Sequence, residues 1–194
     1  MSPHIVFFLE EPSAKAMLDG FLPKILPAGW YHRCIVFEGK QDLEAQIVRR
    51  LRGYCIPDAK FVILRDKDAG DCRIIKKRLI KKCKEAGRSN VLVRIACYEL
   101  ESWFLADIPA VQRGLGLSNL LQYSKQRKFL SPDQYPNPAE TLQSIAPTYQ
   151  KVGGSRSIGP HLSPDNACSH SFAVFISGLR ELCAGSKKRS SKGI

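Results

Sequence analysis

The sequence has no long apolar run. None of its hydrophobic stretches approaches the roughly 20 residues that a helix needs to cross a bilayer. The opening residues MSPHIVFFLEE also lack the basic segment and the cleavage site of a secretory leader. We therefore expect a soluble cytoplasmic protein that does not enter a membrane. A chain of 194 residues suits one domain with at most a small appendage.

The spacings that hold zinc or form a disulfide framework are missing too. The cysteines are odd in number, widely scattered and never arranged as Cys-x-x-Cys: Cys34, Cys55, Cys72, Cys83, Cys97, Cys168 and Cys183. The four histidines show no His-x-x-x-His spacing. We expect reduced, mostly buried thiols and no structural zinc.

Loops that cradle a nucleotide phosphate are absent. The chain contains neither G-x-x-x-x-G-K-[ST] nor G-x-G-x-x-G. A small-molecule phosphotransferase therefore ranks last among the functions that an α/β chain of this length could serve.

Negative charge is scarce. Eighteen Asp and Glu residues face thirty Lys and Arg residues, so the formal net charge is +12. A balance of this kind favours a polyanionic partner over a neutral small molecule, and nucleic acid is the obvious candidate.

Short apolar runs alternate with amphipathic segments along the first half of the chain. The runs predict strands at Ile5–Leu9, Cys34–Phe37, Phe61–Leu64 and Val91–Ala96, and the intervening segments predict helices near 13–22, 41–52 and 71–86. This order predicts a mostly parallel four-stranded sheet with helices on both faces, formed by residues 1–107. Dense prolines after residue 107 predict an irregular, mainly helical cap over 108–185, with a final helix near 171–183. The basic tail 186–194 is expected to be disordered.

Carboxylates follow two of the predicted strands. Asp66 and Asp68 follow the run Phe61–Leu64 after Arg65, and Glu10 and Glu11 follow the first strand. Two carboxylates about 5 Å apart repel by roughly 3 kcal/mol at an effective dielectric near 20. Such a group therefore favours a compensating hard cation, Mg²⁺ or Mn²⁺, at the carboxyl edge of the sheet. The alternative for the Asp pair is a solvated turn, since Asp is also a turn and cap residue.

Further candidates lie near the same edge. Asp71 and Glu101 are candidates for a second ion, and Glu101 is also a catalytic candidate, although either glutamate of Glu99-Leu100-Glu101 would serve as a helix dipole partner. Lys40 lies just past the second strand and could contact a phosphate or remain inert. His161 could act in acid–base chemistry or hydrogen-bond within the cap.

The predicted helix near 71–86 is strongly basic and has acids only at its ends. Its lysines lack acidic partners, which indicates a phosphate-binding face, with Lys77, Lys81 and Lys84 as the nucleic-acid candidates. A solvated charged face is the alternative.

The arrangement of acids at the strand ends resembles that of the Toprim fold, which topoisomerases, primases and related nucleases share. In that fold a Glu follows the first strand and Asp-x-Asp follows the third, as in Leu9-Glu10-Glu11-Pro12-Ser13 and Arg65-Asp66-Lys67-Asp68. Over nearly its whole length the chain is similar to a Toprim-like family of unknown function, domain of unknown function family 4276. Further segments carry that likeness: Phe37–Leu43, Asp66–Cys72, Glu99–Phe104, Pro160–Leu162 and Asn166–Phe172. Toprim enzymes commonly have Gly where this chain has Glu11, which leaves the choice between Glu10 and Glu11 open; alignment from the strand end favours Glu10.

The resemblance implies a metal-dependent nuclease of DNA or RNA. Glu10, Asp66 and Asp68 would hold Mg²⁺ or Mn²⁺, and a second ion about 4 Å away would stabilise the leaving oxygen. Members of this family are often encoded beside ATPases in prokaryotic defence loci, which implies an antiphage effector with an ATPase partner. The alternative is a noncatalytic subunit that binds nucleic acid or docks on the ATPase. The oligomeric state and the choice between DNA and RNA stay open.

Overall fold

A four-stranded parallel sheet forms the centre of the molecule. The computed structural model describes residues 2–184, and its strands are β1 (His4–Leu9), β2 (Tyr31–Val36), β3 (Lys60–Asp66) and β4 (Val91–Ala96). They are arranged in the order β2-β1-β3-β4, with every neighbouring pair parallel. The predicted α/β class and parallel sheet are confirmed.

Helices cover both faces of the sheet because successive strand residues point to opposite sides. Phe7 and Leu9 pack against α1 (Pro12–Phe21), whereas Val6 and Phe8 pack against α2 (Lys40–Arg52) and α3 (Cys72–Glu85). Each helix buries an apolar stripe at helical spacing, which in α3 consists of Ile75, Leu79 and Cys83.

The strand and helix boundaries depart from the sequence prediction at two places. Strand β2 begins at Tyr31, three residues before the predicted start, because it lies at the sheet edge, where exposed polar residues hide the apolar pattern. The helix predicted to start at Glu99-Leu100-Glu101 is short: it forms α4 (Glu101–Leu105), and a separate helix, α5 (Ile108–Leu115), follows it. Asp107 has a nonhelical backbone and its carboxylate accepts the N–H of Ala110 at 3.1 Å, so it ends one helix and caps the next.

Beyond α5 the chain continues as short helices and single 3₁₀ turns. The α-helices are α6 (Arg127–Leu130), α7 (Pro138–Ile145), α8 (Lys151–Ile158) and α9 (His170–Ala184), and the turns lie at Leu120–Tyr123, Pro132–Gln134 and Gly159–His161. Apolar residues of α8 and α9 join the core on the α1 face of the sheet. The division of the chain at residue 107 stays a prediction, and the tail 186–194 lies outside the described residues.

The seven cysteines, all of which lie within residues 2–184, are free thiols. Among those same residues, none of the helices combines the length and the apolar character that a membrane crossing requires.

Candidate active site at the carboxyl edge of the sheet

The acids that follow β1 and β3 lie at the switch point of the sheet. The helix after β1 covers one face and the helix after β3 covers the other, so the chain departs in opposite directions from these two adjacent strands. Open α/β sheets bind their ligands in the crevice that this arrangement leaves at the carboxyl edge. Glu10 and Glu11 flank the crevice from β1, and Asp66 ends β3.

The pleat of the sheet separates these acids onto two sides. Leu9 pairs with Leu64, so one further step aligns Glu10 with Arg65 and the next aligns Glu11 with Asp66. Glu11 keeps an extended backbone, with φ −132° and ψ 152°, which continues the alternation past the strand end. Asp66 therefore lies with Glu11 on the α1 side, and Glu10 lies with Arg65 on the α2 and α3 side.

We define the Asp66 cluster as the group on the α1 side: Glu11, Asp66, Glu101, Tyr149 and Lys151. Asp66 is almost fully buried, and its carboxylate has no hydrogen-bond or ion-pair partner in the described part of the chain. Burial raises the pKa of Asp66 well above its ordinary value, and the negative charges of Glu101, Glu11 and Glu10 raise it further. The positive charge of Lys151 acts in the opposite direction.

Glu101 is the most deeply buried acid of the cluster, with an exposed fraction of 0%. The Tyr149 hydroxyl donates to its Oε1 at 2.8 Å, whereas Oε2 is buried without a hydrogen-bond partner among residues 2–184. Burial raises the pKa of Glu101, and the Tyr149 hydrogen bond and the Lys151 charge only partly oppose this effect. The cluster thus holds an unsatisfied carboxylate oxygen, a feature that a native fold seldom keeps without a reason.

We define the Arg65 cluster as the group on the other side: Glu10, Lys40, Glu44, Arg65 and Asp68. The buried guanidinium of Arg65 lies 3.5 Å from Glu10 Oε2, 2.7 Å from Glu44 Oε1 and 3.8 Å from Asp68 Oδ2. Glu10 Oε2 also accepts the backbone N–H of Asp66 at 3.1 Å. Burial raises the pKa of Glu10 and is the largest influence on it, although Arg65 lowers it. Asp68 makes a second ion pair, with Lys40 Nζ at 2.8 Å.

Asp71 lies between β3 and α3, just before the helix begins, and has a local structural role. Its carboxylate caps α3, accepting the N–H groups of Arg73 and Ile74 at 2.7 and 3.1 Å. These bonds lower the pKa of Asp71. The structure therefore explains this aspartate by helix capping rather than by contact with the Asp66 cluster.

The other candidates are distributed along the edge and beyond it. Glu99 accepts the backbone N–H of Ala139 at 3.0 Å and so holds the start of α7, while the carbonyl of His161 accepts from Arg113 at 3.3 Å. Lys77, Lys81 and Lys84 are exposed on the outer face of α3.

The structure thus brings Asp66 and Glu101 together, adds Glu11 to them, and places Glu10 and Asp68 beside Arg65. Sequence reasoning missed the site roles of Arg65, Tyr149 and Lys151. An arginine placed between an apolar strand run and the strand-end Asp was a usable signal for Arg65. The Tyr149 contact with Glu101 spans 48 residues and had no local signal.

The donor chemistry of the Asp66 cluster fits a hard divalent cation. Its ligand atoms are carboxylate oxygens. Glu101 Oε2 and the Asp66 carboxylate accept no hydrogen bond from the described part of the chain, so they offer lone pairs to an ion. Within residues 2–184 no three Asp, Glu, His or Cys side chains form a ready ligand group. Glu11 is instead turned to Lys151, at 2.7 Å.

Comparison with known protein families identifies the family of the chain. A family model for a domain of unknown function, DUF4276, matches residues 9–180. The chain belongs to the DUF4276 family. Neither a curated protein nor a solved structure matches this DUF4276 chain.

The DUF4276 match contains the whole site. It begins at the last residue of β1 and ends within α9, so both the strand-end acids and the residues supplied by α4 and α8 fall inside it. The Asp66 cluster is therefore assembled entirely from the DUF4276 region of the chain.

Proposed function

We propose that this DUF4276 protein is a Toprim-like nuclease that hydrolyses phosphodiester bonds of DNA or RNA with the help of Mg²⁺ or Mn²⁺. The observation that carries the proposal is the environment of Asp66. This carboxylate is buried at the switch point of a parallel sheet beside the acids Glu11 and Glu101, and no residue among 2–184 gives it a hydrogen bond or an ion pair. A fold gains nothing from such buried negative charge unless a cation compensates it.

The ligands of the ion would come from Glu11, Asp66 and Glu101, with Glu10 and Asp68 beside them. A divalent ion held there would neutralise a scissile phosphate and polarise a water molecule. The protein itself would hold Glu101 in place through the Tyr149 hydroxyl and would keep the backbone of Asp66 fixed through Glu10. Lys40, Lys67 and Arg78 line an open cleft of about 570 Å³ next to Asp68, where they could contact the phosphates of a bound strand.

The Toprim-like relationship is part of this proposal. It is supported by a Glu at the end of β1, by Asp-x-Asp at the end of β3 and by the parallel sheet that brings both to one edge. The family resemblance further leads us to propose an antiphage effector that works with an ATPase. Net charge of +12 supports a nucleic-acid substrate.

A noncatalytic subunit that binds nucleic acid or docks on an ATPase is the second candidate. The observation in its favour is that lysines already compensate two of the carboxylates, with Lys151 on Glu11 and Lys40 on Asp68. In this alternative the two clusters would serve only to hold the sheet edge together.

Nucleic-acid cleavage tests the choice between these functions. Purified protein is incubated with single- and double-stranded DNA and RNA in the presence of Mg²⁺, Mn²⁺ or EDTA. Each reaction is run with and without an ATPase encoded beside the protein. We expect metal-dependent cleavage that collapses in Asp66→Ala and Glu101→Gln while folding and nucleic-acid binding persist, because the ion acts chiefly in the transition state. Glu10→Gln should also lower the rate.

Asp19→Asn is the matched control, since Asp19 is a half-exposed carboxylate on α1 that pairs with Lys15. Cleavage that persists in the Asp66 and Glu101 variants would remove this site from the mechanism. Binding without cleavage under every condition would favour the noncatalytic subunit.

A further inference from the structure

Lys151 is the cation that the fold supplies to the Asp66 cluster. It is the first residue of α8, and its Nζ lies 2.7 Å from Glu11 Oε2. Its charge also acts on Asp66 and Glu101, the two buried acids of the cluster. One ammonium group thus pairs with Glu11 and acts through its charge on Asp66 and Glu101, and the side chain is 42% exposed, so it has an open route to solvent.

The backbone that carries Lys151 is fixed by close packing. Gly159, just after α8, lies directly on the backbone of Met17 in α1, where a Cβ would overlap the Met17 carbonyl oxygen. Gly114 of α5 approaches the backbone of Ile158 so closely that a Cβ would lie 2.7 Å from its Cα. Contacts without side chains leave little freedom for α8 to shift, so the four-carbon stem of Lys151 is the part that can move.

The position of Tyr149 depends on the same helix. Its ring packs over Gly154 of α8, where a Cβ would overlap the ring carbons. From there its hydroxyl reaches Glu101 Oε1. Helix α8 therefore carries Lys151 and also positions Tyr149, which in turn orients the buried Glu101. The cation and the orientation of this acid depend on the same helix.

A divalent ion and the Lys151 ammonium group compete for the same negative charge. The ammonium group already lies on Glu11 Oε2, and two cations within a few ångströms of each other repel strongly in a partly buried site. A lysine held by a rigid helix would therefore oppose metal binding until its side chain swings out to solvent.

We propose that Lys151 is the resident counter-ion of the Asp66 cluster and that Mg²⁺ or Mn²⁺ binds by displacing its ammonium group from Glu11. Lys151 thereby sets the metal concentration at which the site fills. This inference rests on the metal site of the proposed function, but it concerns metal affinity rather than catalysis.

The test is a Mn²⁺ titration of the full chain, in which calorimetry and thermal unfolding measure metal binding. Lys151→Met removes the charge but keeps the length of the side chain, and Lys151→Gln keeps a donor for Glu11 and serves if the Met variant does not fold. We expect the midpoint for Mn²⁺ to fall about tenfold or more in both variants, given the strength of a nearby charge in a half-exposed site. Without metal both variants should melt at a lower temperature than the wild type.

Lys15→Met is the matched control, because Lys15 also pairs with a carboxylate but lies outside the cluster. It should leave the Mn²⁺ midpoint unchanged. Equal midpoints in the wild type and the Lys151 variants would overturn the counter-ion role and leave the nuclease proposal standing. Tighter binding in the variants with no nucleic-acid cleavage by the wild type would support the counter-ion and overturn the nuclease. Failure of every variant to bind Mn²⁺ would overturn both.

Discussion

At the scale of single residues, the alternation of the sheet decides which acids meet. Alignment from the strand end favoured Glu10 as the partner of Asp66, yet the register Leu9 to Leu64 places Glu11 beside Asp66 and Glu10 beside Arg65. The presence of acids at both strand ends was predictable from the sequence. The face of the sheet on which each acid lies was not predictable. A shift of one residue in register exchanges the two faces, and the sequence does not specify the register between separate parallel strands.

Asp66 should make the stability of the metal-free protein depend on pH. Its pKa is raised in the folded state, so the fold binds a proton more tightly than the unfolded chain does. The free energy of unfolding that this residue contributes therefore falls as pH rises from the ordinary aspartate range toward the raised value.

Asp66→Asn should match the wild type in acid and become the more stable protein as pH increases. Urea denaturation in EDTA, at a series of pH values from 4 to 8, measures the difference between the two proteins. Subtraction of the two curves removes the contributions of other acids, such as Asp42 and Asp71, whose pKa values are lowered. A difference in stability that does not vary with pH would show that the fold does not raise the pKa of Asp66.

At the scale of elements, the first half of the chain follows its sequence pattern more closely than the second. The helices α2 and α3 and the strands β3 and β4 lie within a few residues of their predicted positions, because long periodic segments carry their own signal. Between residues 108 and 170 the helices are short, and Pro at the second position of α5 and at the first of α7 marks where they start. The contacts that place Tyr149 and Lys151 are tertiary, and no local pattern encodes them.

Two adjacent glycines of α8 should respond to alanine in opposite ways. At Gly154 a Cβ would overlap the Tyr149 ring and displace its hydroxyl from Glu101, so Gly154→Ala should lower the free energy of unfolding by about 1–3 kcal/mol. At Gly153 a Cβ would meet no atom of residues 2–184 within 4 Å, and Gly153→Ala should stabilise the helix by about 0.5–1 kcal/mol. Chemical denaturation of both variants checks the pair. Equal effects would contradict the packing of Tyr149 on α8.

The outer face of α3 should bind nucleic-acid phosphates. Lys77, Lys81 and Lys84 share one exposed face at helical spacing, and neither hydrogen bonds nor ion pairs engage their side chains among residues 2–184. Replacing all three by Gln should weaken binding to all sequences alike and reduce the slope of log K against log salt by about 2 to 3. Fluorescence anisotropy over a range of salt concentrations measures this slope.

A variant with Lys125, Arg127 and Lys128 replaced by Gln loses the same number of charges from the region of α6 and serves as its control. An unchanged slope in the α3 variant together with a reduced slope in the control would move the nucleic-acid surface to the cap.

At the scale of the whole molecule, topology and charge act together. The strand order β2-β1-β3-β4 creates a single switch point among the described residues, and the strand-end acids collect there while the rest of the chain carries an excess of positive charge. This arrangement suits a polyanion that is attracted by the whole surface and meets a cation at one small acidic site. The sequence pattern was sufficient to predict the sheet and its acidic edge, whereas the cap residues that complete the site emerged only from the folded chain.

The central claim is that the Asp66 cluster binds a divalent cation, and Mn²⁺-dependent thermal unfolding tests it most directly. An ion present at 100 times its Kd stabilises the native state by about 2.7 kcal/mol, which for a chain of this size raises Tm by roughly 5–10 °C. We expect this shift in the wild type and its loss in Asp66→Asn, while Asp19→Asn keeps it. A wild-type Tm that stays constant up to millimolar Mn²⁺, or an equal shift in Asp66→Asn, would contradict the account.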